Sequence, residues 1–395
     1  MLTKQHIDIV KSTSTIIEQG GSAITEHFYA RMFRENPELK HIFNMSNQHT
    51  GRQKVALFEA ILAYAKNIDN LSALKAAVER IANKHTSFHI QAAHYDIVGH
   101  HLIETFRELL GADFTPNIED AWTTAYGVLA DIFINREADI YQENANKIGG
   151  WKGKRAFRLA SKTAESSLVT SFVFMPVDEQ AVADFRPGQY LGIEISSEQF
   201  EHTEIRQYSL SDKPNGKSYR ISVKRELGEH QGKVSNYLHD ELNEGDVVDL
   251  HAPVGDFYFT DKQSPVVLIS AGVGVTPMQS MLEFKSDIKY PHPVTYLHAC
   301  ENVQQHSFAM RTAALCEQNK WTHHTWFREV EANTLQQNQS VGLIDFAHIE
   351  LPKQTGHFYL CGPVGFMKFA KTELEKLGVC SSRIHYEVFG PHAQL

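Results

Sequence analysis

The sequence is poor in sulfur, has no positive excess and carries no long apolar run. Four cysteines among 395 residues, Cys300, Cys316, Cys361 and Cys380, stand singly near the C-terminus, with no CxxC pair and no zinc or iron–sulfur spacing. That excludes a disulfide framework, a structural zinc and an iron–sulfur cluster, and leaves thiols expected to be reduced and mostly buried. Lys plus Arg total 38 against 47 Asp plus Glu, a net charge of −9, and the densest basic cluster is only Lys152, Lys154 and Arg155. A nucleic-acid surface is therefore not expected, and small-molecule partners are. The longest weakly polar stretch, Pro265 to Met278, is broken by glycine and proline. It falls short of the roughly 20 apolar residues of a membrane span. Lys4, His6 and Asp8 stand where the apolar part of a signal peptide would begin, so a cytoplasmic protein, taken as a monomer, is the expectation.

What is present is enough apolar material, 42% of the chain, for two or three separate cores. From Lys4 to about Asn144 apolar residues recur at spacings of three and four, which predicts an all-α region of six to eight helices. Pro37 opens a short helix, and Asn67 to Ser72 and Gly111 to Pro116 break longer ones. Asn144 to Lys154, with Gly149, Gly150 and Gly153, reads as a hinge. Beyond it the period changes to two. Leu168 to Phe174, Tyr190 to Ile195, Tyr219 to Val223 and Val247 to Leu250 predict an antiparallel β-barrel. After Asp261, apolar strands at Val266 to Ile269, Val294 to His298 and His357 to Leu360 alternate with helices and predict an α/β region with a parallel sheet. The resulting division is 1–143, a linker 144–154, 155–262 and 263–395.

In the last region the run from Val266 ends in Gly272-Val273-Gly274-Val275-Thr276-Pro277, a strand entering a glycine turn and then a helix. Such a turn brings backbone N–H groups to a phosphate, and it is equally the form of an ordinary strand-to-helix connection. Cys361-Gly362-Pro363 ends a second strand the same way, and two such ends would flank one crevice of an open sheet. Cys361 reads either as a residue of that crevice or as an inert buried thiol. In the barrel, Arg206-Gln207-Tyr208-Ser209 sets a cation and an aromatic ring on one strand face, suited to a phosphate and a flat ring. Gly232 to Asn236, with Ser235, offers a helix start. His298-Ala299-Cys300-Glu301-Asn302 supplies an acid with no nearby Arg or Lys, which favours NADH and leaves NADPH as the alternative.

In the helical region Leu74, Val78, Ile81 and His85 form one stripe, and Trp122, Tyr126, Leu129, Phe133 and Glu137 another. A third runs from Tyr95 through Val98, Leu102 and Phe106 to Leu109. Each carries one polar group where an apolar one is expected. A core histidine satisfied by its neighbours is one reading. A metal-binding histidine whose other nitrogen is bonded to a carboxylate is the second. Tyr29 lies between Phe28 and Phe33, and Gln53 and Leu57 share a helical face. Tyr29 is either a core tyrosine or a hydrogen-bond donor to a ligand.

Arg186-Pro187-Gly188-Gln189-Tyr190, Arg206 to Ser209, Gly232 to Leu238, Gly272 to Pro277 and Cys361 to Pro363 resemble the ferredoxin–NADP reductase superfamily. Pro37, Phe43, Gln53 with Leu57, and His85 resemble a globin. Over the whole chain, with Lys84 to Phe88 and His385 to Pro391 added, the sequence is similar to the flavohaemoglobin family. That resemblance implies a globin with haem b, an FAD barrel, an NAD(P)H domain, and nitric oxide dioxygenase activity on NO and O₂. It implies His85 as the haem iron ligand with Tyr95 and Glu137 as its relay, and Tyr29, Gln53 and Leu57 in the distal pocket. Phe43 would pack on the porphyrin. Arg206, Gln207, Tyr208, Ser209, Tyr190 and Ser235 would hold FAD, and Gly272, Val273, Gly274, Val275, Thr276, Pro277, Cys361, Gly362 and Pro363 would hold NAD(P)H. Phe389 would lie against the flavin with Val388, Gly390 and Pro391 around it, and Lys84 and Glu387 would stand at the haem–flavin junction. A flavin-dependent ferric or disulfide reductase with an O₂-sensing globin would share the same reductase half.

Overall fold

A computed structural model describes residues 2–43, 45, 52–228, 231–331 and 335–390, the side chains of 52–54 excepted. The chain divides into two compact units. One is Met1–Asn146 with Trp151–Lys154 and Glu194–Arg206, and the other is the remainder.

The first unit is helical, with α1 (Lys4–Glu35), α2 (Arg52–Lys66), α3 (Lys75–Thr86), α4 (Ala92–Leu110) and α5 (Pro116–Ala145). α1 starts with a capping box, in which the Thr3 hydroxyl accepts from the His6 N–H and the His6 ring accepts from the Thr3 N–H. It is interrupted at Gly21, whose φ of 55° takes the backbone out of the helix. Pro37 opens a short 3₁₀ turn, Pro37–His41. The expected breaks after Asn67 and Gly111 hold further 3₁₀ turns, Leu71–Leu74 and Gly111–Asp113. Tyr29, Ile61, Tyr64, Leu102, Phe106 and Trp122 share one apolar core. Its buried polar tips are matched: the Tyr64 hydroxyl donates to the Ala125 carbonyl at 2.6 Å, and the Trp122 ring N–H to the Thr13 hydroxyl at 3.0 Å.

The second region is a six-stranded sheet formed by β1 (Lys154–Ala164), β2 (Val169–Pro176), β3 (Tyr190–Ile195), β4 (Glu204–Ser209), β5 (Tyr219–Lys224) and β6 (Val247–Val254). The strand order is β4-β3-β6-β1-β2-β5. Its two edges meet through a bridge between Leu210 and Ile221, and the Ser211 N–H donates to the Arg220 carbonyl at 2.9 Å. The sheet thus closes on itself as a barrel, which removes its free edges. A short helix, α6 (Lys233–Asp240), follows β5.

The rest is a parallel sheet of β7 (Val266–Ala271), β8 (Val294–Cys300), β9 (Thr322–Phe327), β10 (Gln339–Val341), β11 (His357–Cys361) and β12 (Ile384–Glu387), in the order β10-β9-β8-β7-β11-β12. Between strands run α7 (Val275–Asp287), α8 (Ala309–Asn319) and α9 (Val364–Lys376). Every residue of β7 is buried, as a central parallel strand covered on both faces requires. Two apolar clusters flank it. One contains Leu268, Met281 and Tyr359, and the other Ile269, Leu360 and Met367.

Candidate functional sites

In the helical unit three stripes converge on one imidazole. His85 lies in the last turn of α3, and its Nδ1 is 2.8 Å from Glu137 Oε1 on α5 and 2.9 Å from the Tyr95 hydroxyl on α4. Tyr95 donates to the same carboxylate oxygen at 2.5 Å. Burial, then the charge of Glu137, push the Tyr95 phenol up, so it keeps its proton and serves as donor. Glu137 is buried, and with the imidazole N–H and the phenol it has the two partners a buried carboxylate needs. With Nδ1 so engaged, His85 presents Nε2, which has no hydrogen-bond partner among the described residues. That is the donor set of a metal-binding histidine held by a carboxylate, and it fits an iron-bound haem. Phe133 packs 5.7 Å from the His85 ring. Tyr29 is buried, edge-on to Phe28 at 5.0 Å and stacked on Phe33 at 5.7 Å, and Phe43 closes the cluster at 6.1 Å. Leu57 packs on the same core, and Lys84 precedes His85 in the last turn of α3. The side chain of Gln53 lies outside the described residues. Leu109, the last member of the Tyr95 stripe, is instead exposed.

In the barrel, Arg206 and Tyr208 stand on β4 with Ser209 buried at its end. Glu204, two residues before Arg206 on the same strand face, pairs with its guanidinium at 2.8 Å and escaped the sequence reading. Gln207 Nε2 and, on α6, Asn236 Oδ1 are buried with no hydrogen-bond partner among the described residues. Orphaned polar atoms on the motifs assigned to the flavin are what a polar cofactor would satisfy, so these residues fit FAD. Ser235 turns its hydroxyl back to the Gly232 carbonyl at 3.1 Å. Tyr190 is buried, and burial, then the charges of Glu387 and Asp256, raise its phenol well above the ordinary range.

At the carboxyl edge of the parallel sheet the two glycine turns touch. Gly272 has φ 52°, and a Cβ on Gly274 would lie 2.2 Å from the Cys361 carbonyl oxygen. A Cβ on Gly362 would lie 3.1 Å from Ala271. Val273 and Gly274 form the turn with Gly272, and Pro363 precedes α9. Thr276 is buried and donates to the Val273 carbonyl at 3.0 Å.

Three sequence expectations need correction here. Val275 is buried in the apolar cluster beneath the sheet, so its side chain is a core residue and does not line the turn. Cys361 is fully buried, and burial pushes its thiol well up, which is the inert reading. Glu301 is not remote from cations, because Arg328, just beyond β9, comes within 3.6 Å of it. Val388 packs partly buried on the cluster around Phe358, whereas Phe389 is largely exposed and Gly390 has φ 123°. Pro391 lies outside the described residues.

Comparison with known proteins agrees with this arrangement. The globin family matches residues 26–133, the oxidoreductase FAD-binding domain 156–259, and the oxidoreductase NAD-binding domain 268–372. A flavohemoprotein of Vibrio cholerae is 55% identical over 397 residues, covering 100% of both chains. The crystal structure of the FAD/NAD-binding domain of nitric oxide dioxygenase from the same organism is 48% identical over 60% of this chain and 99% of its own, with a TM-score of 0.57. A flavohemoglobin of Malassezia yamatoensis, solved with bound FAD and heme, covers 98% of this chain and 100% of its own at 27% identity, with a TM-score of 0.87. A helical unit that converges on His85, a closed barrel and a parallel sheet on one chain, matched end to end by a relative of this identity, make the protein a member of the flavohemoprotein family.

Proposed function

We propose that the protein is an NAD(P)H-dependent nitric oxide dioxygenase, converting two NO and two O₂ to two nitrate while oxidising one NAD(P)H, and so detoxifying NO in the cytoplasm as a monomer. The observation that carries this reading is the His85–Tyr95–Glu137 cluster on the same chain as the flavin and nucleotide motifs. Haem b would supply O₂ binding and one-electron iron chemistry, and FAD would split the two electrons of the nicotinamide into single steps. His85 would hold the iron through Nε2. Glu137 and Tyr95 would fix the ring and raise its donor strength toward the iron. Tyr29, with Leu57 and Gln53, would line the pocket for the small gaseous substrates, the phenol serving as a hydrogen-bond donor. Arg206 would offset pyrophosphate charge, Tyr190, Tyr208 and Ser209 would seat the flavin ring, and α6 would present its N–H groups at Ser235. The backbone of the turns Gly272 to Pro277 and Cys361 to Pro363, and not the buried Val275 and Cys361 side chains, would hold the nicotinamide nucleotide. Glu301 favours NADH through the ribose hydroxyls, and Arg328 beside it leaves NADPH usable.

The test is a visible spectrum of the purified protein, expected to show both a haem Soret band and flavin absorbance, followed by NADH-driven NO consumption. His85→Ala should lose stable haem and NO consumption while retaining flavin-dependent dye reduction. If that variant keeps its haem, the ligand is another residue.

A further inference from the structure

Within the second unit the barrel and the parallel sheet meet at a small set of charges around one buried arginine. Arg220, on β5, is 6% exposed. Its guanidinium donates to the Ser211 hydroxyl at 3.2 Å, to the Ser211 carbonyl, and to Glu283 Oε1 on α7 at 3.0 Å. The same carboxylate oxygen accepts from Gln279 at 3.0 Å and from Arg311 on α8 at 3.0 Å. Asp212 lies 4.0 Å from Arg220, and its carbonyl accepts from the Ser280 hydroxyl of α7 at 2.6 Å. Lys213 beside it pairs with Asp287 at the end of α7.

The placement of this cluster gives it a role. Asp212 and Arg220 flank the bridge that closes the barrel next to Ser209, the end of the strand assigned to the flavin. Glu283 lies eight residues along α7 from Val275, about 12 Å at the helical rise, on the helix that begins at the nucleotide turn. One ion cluster therefore ties the flavin strand to the nicotinamide helix. Hydride transfer needs the two rings held about 3–3.5 Å apart and aligned, and a bonded charge pair with a buried arginine is a directional contact suited to holding them so.

We propose that Asp212, Arg220 and Glu283 are positioning residues that set the nicotinamide helix against the flavin strand for hydride delivery. This rests on the assignment of FAD and NAD(P)H to this unit. Burial, and then the neighbouring Glu283 carboxylate, hold the Asp212 carboxyl above its usual range. Glu283 lies below its own range despite burial, because Asp212 and Arg220 both bond to it. Asp212 thus keeps its proton to higher pH than an ordinary carboxyl, under the field of Arg220, Arg311 and Lys213, with Asp287 the remaining carboxylate nearby. As pH rises that proton leaves, two carboxylates face each other, and the junction loosens.

The experiment uses the full-length holoprotein in stopped-flow flavin reduction by NADH and by 4-deuterated NADH. Glu283→Gln and Arg220→Lys should slow hydride transfer about tenfold and raise the isotope effect, with flavin occupancy and NADH affinity unchanged. Amide hydrogen exchange in β5 and α7 should quicken, a readout independent of turnover. Asp212→Asn should flatten the fall in reduction rate that the parent shows as pH rises past the carboxylate range. If Glu283→Gln fails to fold, the Asp212→Asn profile decides alone. Variants with the parent's rates, isotope effects and pH profile overturn the proposal. A parent that binds no FAD or NADH overturns the site assignment beneath it.

Discussion

Glu137 is the residue on which the imidazole's chemistry turns, because one oxygen accepts from both His85 and Tyr95. Replacing it by glutamine keeps the volume and removes the charge. The imidazole then loses its anionic partner and gives less electron density to a bound metal, so Glu137→Gln should raise the iron midpoint potential. It should also weaken haem retention by about 10- to 100-fold, the usual cost of losing such a partner. Spectroelectrochemistry and haem transfer to an acceptor globin measure the two effects. A potential equal to the parent's would reduce Glu137 to a buried acid that packs. Tyr95 is the weaker lever, since its phenol stays neutral and leaves the carboxylate in place.

Among the elements, the contact between the two glycine turns allows a sharp contrast. Gly274→Ala places a Cβ 2.2 Å from a backbone oxygen of Cys361 and 2.7 Å from the Gly362 nitrogen, neither of which can swing aside. The turns must separate, at a cost of about 1–3 kcal/mol, with weaker NADH binding. Gly127, on an exposed face of α5, has nothing within 4 Å of an added Cβ, so Gly127→Ala should stabilise by about 0.5–1 kcal/mol. Thermal unfolding and NADH titration separate the pair. The same elements show what the sequence made legible. β3 was readable to the residue, and β7, β8 and β11 as apolar cores one or two residues short, because buried strands announce themselves as apolar runs. β1 was missed because only Phe157 and Leu159 of its eleven residues are buried, among Lys154, Arg155, Arg158 and Lys162. β9 was missed because His323 and His324 interrupt its run. The convergence of His85, Tyr95 and Glu137 was visible as three stripes, each with one polar intruder. The Arg328–Glu301 and Arg220–Glu283 pairs were not, because their partners are 27 and 63 residues apart and nothing local marks them.

For the molecule as a whole, acid sensitivity concentrates in buried bases around the parallel sheet. Lys285, on α7, is fully buried with its Nζ 2.9 Å from the centre of the Phe259 ring and 3.9 Å from that of Tyr290, and has no hydrogen-bond partner among the described residues. Burial brings its pKa from 10.5 to about 6. His306 and His385 are likewise lowered by burial, each to about 4. In every case the unfolded chain binds more protons between the folded and unfolded pKa values, so stability climbs with pH through that window. The histidines act between about 4 and 6.5, and Lys285 between about 6 and 10. Lys285→Met should therefore stabilise the protein by about 2–4 kcal/mol at pH 7, the gain fading toward pH 10. Calorimetry across that range tests it, and a gain constant with pH would mean that packing alone is responsible. The same residue offers a clock. Kept neutral, it is a nucleophilic primary amine at physiological pH. Its acylation by a soluble reagent would be limited by how often α7 parts from the end of the barrel, so the slow labelling of one side chain counts openings that no static picture records.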